Sequence, residues 1–176
     1  MCDHTATPYV FILKGVDDTM LKDGCAREAV ERYGDVLYRV CLLMLRNTAD
    51  AEDAVQETFI KYVTKSPDFA DREHEKAWII KVAANKCYDM LRYRTRHFTE
   101  SEELLDGYAV SKEDSGILDA LMELPEKYRL VLVLFYIEEY KVNEISEIVG
   151  IGTSAVKMRL SRGRKLLEDK YRKEYM

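Results

Sequence analysis

Glycine and proline are scarce, with eight and three among 176 residues, and a turn-rich all-β architecture, which needs more of both, is excluded. No apolar run is long: the longest, Leu130–Ile137, falls far short of the roughly 20 residues that span a bilayer. The N-terminus offers only Tyr9–Leu13 as an apolar patch and lacks the extended core of a secretory signal, so the expected location is the cytoplasm, with no membrane contact of its own. The four cysteines (Cys2, Cys25, Cys41, Cys87) form no Cys-x-x-Cys pair. The three histidines supply no ligand spacing, so no metal or other cofactor is expected. A phosphate-binding loop and a nucleophile–base pair are missing too, which argues against an enzyme. Cys41 and Cys87 stand among apolar residues at helical positions and read as buried free thiols, consistent with a reducing compartment.

What remains is a charge-rich chain of helix formers, 47% hydrophobic and 34% charged, suited to a well-buried all-α globule. Its net charge of −5 conceals a strong segregation. From Glu100 to Asp114 six acids face only Lys112, whereas Lys157 to Lys165 holds five cations (Lys157, Arg159, Arg162, Arg164, Lys165) and no acid. Phosphate attraction depends on local patches of this kind and not on the global sum.

Apolar spacing divides the chain. Residues 1–22 show no clear periodicity and form a leader of undetermined role. Val30, Tyr33, Leu37, Val40, Cys41 and Met44 mark one face of a helix from Ala26 to Leu45. Asn47, Thr48 and Asp50 offer caps for a second helix, about Asp50 to Val63, with Ala54, Val55, Thr58, Phe59, Tyr62 and Val63 inward and Glu52, Asp53, Gln56 and Glu57 outward. Lys65-Ser-Pro-Asp68 signals a turn and a loop to about Glu73. A third helix then carries Trp78, Ile79, Val82, Ala83, Tyr88 and Leu91 as candidate core and ends in Arg92, Arg94 and Arg96. The acidic stretch 99–116 reads as a linker. The expected organisation is thus two small helical domains, 23–98 and 117–172, with Leu130–Ile137 taken as helix because nothing else offers it a strand partner.

The strongest local signal is Asn143 to Leu160: a helix, a corner at Gly150, then a second helix with Val156 and Leu160 inward. Glycine permits the left-handed backbone that a helix–turn–helix corner requires. Thr153 and Ser154 open the second helix, where free N–H groups suit a phosphate. Lys157, Met158, Ser161, Arg162 and Lys165 then form its exposed stripe, fit for a major groove about 12 Å wide. Such a motif alone is shared by many unrelated regulators.

Three motifs in order narrow the choice. Asp50-Ala-Glu-Asp-Ala-Val-Gln-Glu-Thr-Phe59 resembles the region 2.2 signature of bacterial sigma factors, the promoter-recognition subunits of RNA polymerase. Trp78 to Arg92 is similar to the region 2.3–2.4 helix, and Leu124-Pro-Glu-Lys-Tyr-Arg129 to the start of region 4. With no further domain, the chain resembles the extracytoplasmic-function (ECF) subfamily.

The resemblance implies that Asp50, Asp53, Gln56 and Glu57 dock on the clamp helices of the polymerase's largest subunit. It places Phe69, Lys81, Asn85, Lys86 and Arg92 at the minus-ten promoter element. It assigns Thr153, Ser154, Lys157, Met158, Arg159, Ser161, Arg162, Arg164 and Lys165 to the minus-thirty-five element. Further implied partners are promoter DNA, the flap of the second-largest subunit and an anti-sigma factor. The loop of about Ser66–Glu73 matches the segment that captures a flipped base, and extracting a base costs a few kcal/mol of stacking that a protein pocket must offset. Departures are Ala84, where the family pattern carries arginine, and Lys141, where it carries a serine-type cap.

Overall fold

The computed structural model describes residues 24–97 and 115–175, so the leader and the acidic linker as far as residue 114 lie outside the described residues. All regular structure within them is helical. In the N-terminal unit, α1 (Gly24–Leu45), α2 (Thr48–Lys65) and α3 (Arg72–His97) pack against one another. The C-terminal unit has α4 (Ser115–Met122), α5 (Glu126–Leu132), α6 (Val142–Val149) and α7 (Thr153–Tyr175), with α7 against the other three. α5 runs on as one π turn, Val133–Ile137, so the apolar run read from sequence as helical is helical with a widened last turn.

Helix ends follow local chemistry. Asn47 caps α2, its side-chain oxygen accepting from the Asp50 amide at 2.8 Å. α1 ends where Arg46 turns left-handed (φ +58°), and Arg94 of α3 donates to the Leu45 carbonyl at 3.0 Å. Lys141 cannot cap with its own side chain; instead Glu144 reaches back and accepts from the Lys141 amide at 2.6 Å, half of a capping box. At the α4–α5 corner the buried Arg129 donates to the Met122 carbonyl at 2.5 Å. Burial lowers its pKa to about 10. That contact gives a physical reason for an arginine five residues after Leu124.

The core is one continuous buried cluster spanning both units. α1 displays a single apolar face at first, then becomes apolar all round: Val40, Cys41, Leu42, Leu43, Met44 and Leu45 are all buried. A helix apolar on every side must be covered on every side. Here α2 and α3 cover part of α1, and α5 with its π turn covers another part. α3 likewise packs against α6. Of its expected core, Ile79 and Ala83 are buried while Trp78, Val82, Tyr88 and Leu91 are half-buried; Ile80, Ala84 and Cys87 join them in the interior. Cys41 and Cys87 meet inside the α1–α3 seam, where hydrogen bonding between the thiols, with burial, raises the Cys41 pKa well above its ordinary value.

Candidate nucleic-acid interface

The second helix of the helix–turn–helix takes the form expected. Gly150 ends α6 with φ +71°, and Ser146 Oγ donates across the corner to the Ile151 carbonyl at 2.5 Å. Val156 and Leu160 anchor α7 inward, and Gly163 lets it lie close to α5, since a Cβ there would stand 3.1 Å from Leu132 Cδ1. The outward side then falls into place by helical spacing. Thr153, Ser154, Lys157, Met158, Ser161, Arg162, Arg164 and Lys165 are exposed, Met158 to 49%. Arg164 donates to Tyr136 at 3.2 Å. Arg159 differs: it is half-buried, and while burial raises the pKa of the Tyr88 hydroxyl on α3, the Arg159 charge works in the opposite direction.

On α2, Asp53 and Glu57 are exposed and Gln56 half-buried, opposite the buried Ala51, Ala54, Val55, Thr58 and Phe59. Ile60 continues their stripe one turn on and is 38% exposed. Its apolar character was readable, but an isoleucine in that sequence passes for core. Asp50 is half-buried and ion-paired with Arg94, which leaves Asp53, Gln56, Glu57 and Ile60 as the accessible surface.

α3 carries the second candidate surface. Lys81, Asn85 and Arg92 are exposed on one side, Arg92 in a weak exposed pair with Asp89. Tyr93, 58% exposed between Arg92 and Arg94, adds a ring that spacing alone did not single out. Lys86 pairs with Glu57, so one ion pair joins the α2 stripe to the α3 surface. Before α3, Phe69 is half-buried and holds the loop down: its ring lies 6.1 Å from Tyr62, nearly parallel, and edge-on to Trp78 at 5.7 Å and His74 at 5.6 Å. Beneath this cluster Glu75 accepts from Tyr33 at 2.9 Å, from Tyr62, and from Arg32 at 3.3 Å. Glu75 was not anticipated, because its partners lie on two other helices.

Among the described residues no group of side chains could hold a metal, and no helix is long and apolar enough to cross a membrane.

The three-helix unit and the helix–turn–helix that follows it both match models of the sigma-70 class of promoter-recognition factors. The sigma-70 region 2 model matches residues 29–97 and the sigma-70 region 4 model residues 115–167. The chain belongs to the ECF RNA polymerase sigma factor family: it is 34% identical over 164 residues to the ECF RNA polymerase sigma factor SigW of Bacillus subtilis, covering 82% of this chain and 88% of that protein. RNA polymerase sigma factor SigV of the same bacterium is 32% identical over 141 residues, covering 78% and 85%. It is therefore a non-enzymatic subunit that binds core RNA polymerase and directs transcription initiation at selected promoters. Two solved structures share the fold. The sigma factor RpoE, in complex with the anti-sigma factor NepR from Bartonella quintana, gives a TM-score of 0.70 at 22% identity and covers 84% of this chain and 97% of that one. CnrH, in complex with the cytosolic domain of CnrY, gives 0.65 at 20%, covering 94% and 97%.

Proposed function

We propose a division of the sigma-factor task between surfaces of the two units. The α2 stripe of Asp53, Gln56 and Glu57, widened by Ile60, docks on the clamp helices, with Asp50 holding the start of α2 through Arg94. Lys81, Asn85, Lys86 and Arg92 face minus-ten DNA, and Phe69 acts as the prop of the base-capture loop. α7 reads the minus-thirty-five element through Lys157, Met158, Arg159, Ser161 and Arg162. Thr153, Ser154, Arg164 and Lys165 hold its phosphates, which adds salt-dependent affinity without sequence information. The C-terminal unit also meets the flap of the second-largest subunit. The factor works in the cytoplasm with the polymerase and is restrained by an anti-sigma protein, as two structural neighbours are bound to such partners or to a cytosolic domain.

The observation that carries the reading is the accessible polar stripe on α2, set opposite a fully buried face and therefore free to meet a partner. The test is core binding and run-off transcription with Asp53→Ala/Gln56→Ala. The double variant should bind core polymerase at least about tenfold more weakly, as loss of a central polar contact pair does, while keeping its helical content. Unchanged affinity would count against the stripe. Charge reversal at Lys157 and Arg162 should leave core binding intact and abolish start-site selection.

A further inference from the structure

The loop between α2 and α3 is fastened at both ends and in its middle. Ser66, Pro67, Asp68, Ala70 and Asp71 are exposed, whereas Phe69 turns inward. At the start the Ser66 amide donates to the Tyr62 carbonyl at 3.3 Å. At the end Asp71 caps α3, accepting from the His74 amide at 2.8 Å, while the Ala70 amide reaches His74 Nδ1 at a long 3.4 Å. Between those points the Phe69 ring holds the chain, resting on Tyr62, Trp78 and His74.

Tyr62 therefore meets the loop twice, by its carbonyl at Ser66 and by its ring at Phe69. Stacked rings tolerate a range of separations, so the polar end of the tyrosine decides where its ring sits. That end, the hydroxyl, donates to Glu75 Oε1. The Glu75 side chain is only 12% exposed, and its second oxygen accepts from Tyr33 at 2.9 Å and from Arg32 at 3.3 Å. These donors offset the cost of withdrawing a carboxylate from water. Burial, and then the bond to Glu75, raise the Tyr33 hydroxyl pKa, so that hydroxyl remains a donor at neutral pH. Glu75 and Trp78 stand three residues apart on one face of α3, and that face supplies both the anchor of Tyr62 and a wall for Phe69.

We infer that Glu75 is the positioning residue of the base-capture loop: by tying the Tyr62 hydroxyl to α1 and α3 it places the ring on which Phe69 rests, and so the loop that receives the flipped base. Glu75 lies beneath the rings and acts through Tyr62 and Phe69. Extracting a base costs stacking energy, and a loop that must first be ordered returns part of what capture gains. The inference rests on the assignment of this loop to base capture.

The experiment measures promoter opening by core polymerase carrying the full chain, read from a fluorescent base analogue in the non-template strand of the minus-ten element. Glu75→Ala should slow opening about tenfold, with affinity for core polymerase and minus-thirty-five preference unchanged. Tyr62→Phe keeps the ring, removes its bond to Glu75, and should slow opening about fivefold, the scale of one hydrogen bond. Tyr33→Phe removes a bond to the same carboxylate but leaves the ring under Phe69 anchored, and should open at the wild-type rate. Glu75→Gln keeps an acceptor for Tyr33 and an amide that the Tyr62 hydroxyl can turn to accept, and should recover most of the rate. Equal slowing by Tyr33→Phe and Tyr62→Phe, or a Tyr62→Phe chain as fast as the wild type, would overturn the inference. If Glu75→Ala loses its helical content, Tyr62→Phe decides alone. An abasic site moved along the non-template strand separates the two levels. At the captured position it should slow the wild type and erase its advantage over Tyr62→Phe. If the wild type slows at some position but its advantage persists throughout, the inference falls and base capture stands; if no position slows the wild type, both fall.

Discussion

Arg129 shows how much one side chain can carry. Its guanidinium is nearly sealed and donates to the Met122 carbonyl, while its Nε has no partner. Because burial lowers its pKa to about 10, the buried charge weakens the fold at every pH below that value, and this penalty lifts only as pH climbs further toward the ordinary arginine range. The stability profile from pH 6 to 9 should therefore be insensitive to this residue. Arg129→Ala should lower unfolding stability by about 2–4 kcal/mol through a cavity and an orphaned carbonyl. Arg129→Met, which refills the volume, should lose roughly 1 kcal/mol; urea denaturation measures both. Phe69 offers an optical counterpart. Trp78 is the only tryptophan, 5.7 Å from the Phe69 ring, so Phe69→Ala should shift its emission to the red while core binding stays unchanged. The same variant should slow opening of the minus-ten element, read by a fluorescent base analogue on the non-template strand.

At the level of elements, legibility tracked the distance along the chain between cause and effect. Gly150 and Asn47 were readable because corner and cap are settled within three or four residues. α7 was readable because Val156 and Leu160 fix its inner side by spacing alone. Gly150→Ala keeps ordinary clearance to Lys81 but must hold φ at +71°, and should cost about 1–2 kcal/mol, checked by thermal melting, with Gly150→Asn milder. What escaped were faces covered from afar. Leu42, Leu43, Ile80 and Ala84 lie off the single stripe that periodicity assigns to α1 and α3, and they are buried in a structure where elements of the C-terminal unit, far along the chain, pack on both helices. The Arg39–Glu138 pair spans 99 positions, and no local rule couples residues that far apart. Glu75, half-buried and held by side chains from α1 and α2, escaped for the same reason.

For the whole molecule, the uneven charge matters more than the total of −5. The cations of α7 are exposed together, and the acids from Glu100 to Asp114 sit elsewhere in the chain. Promoter binding by the assembled polymerase should depend steeply on salt. Lys165→Ala should flatten the slope of log affinity against log salt by about 0.9, the contribution of one phosphate contact, without altering promoter preference. Arg162→Ala should change the preference as well. The fold class and the helices α3 and α7 could be read from the residues; the way the two units close on each other could not, since it depends on side chains far apart in the chain.

The paired thiols at the α1–α3 seam make the N-terminal bundle a clock for its own breathing. With Cys2 and Cys25 changed to serine, an alkylating reagent can reach Cys41 and Cys87 only when that seam parts, so the two mass increments should arrive together and at a rate set by opening. Saturating core polymerase, by holding α2 against a partner, should slow both increments alike.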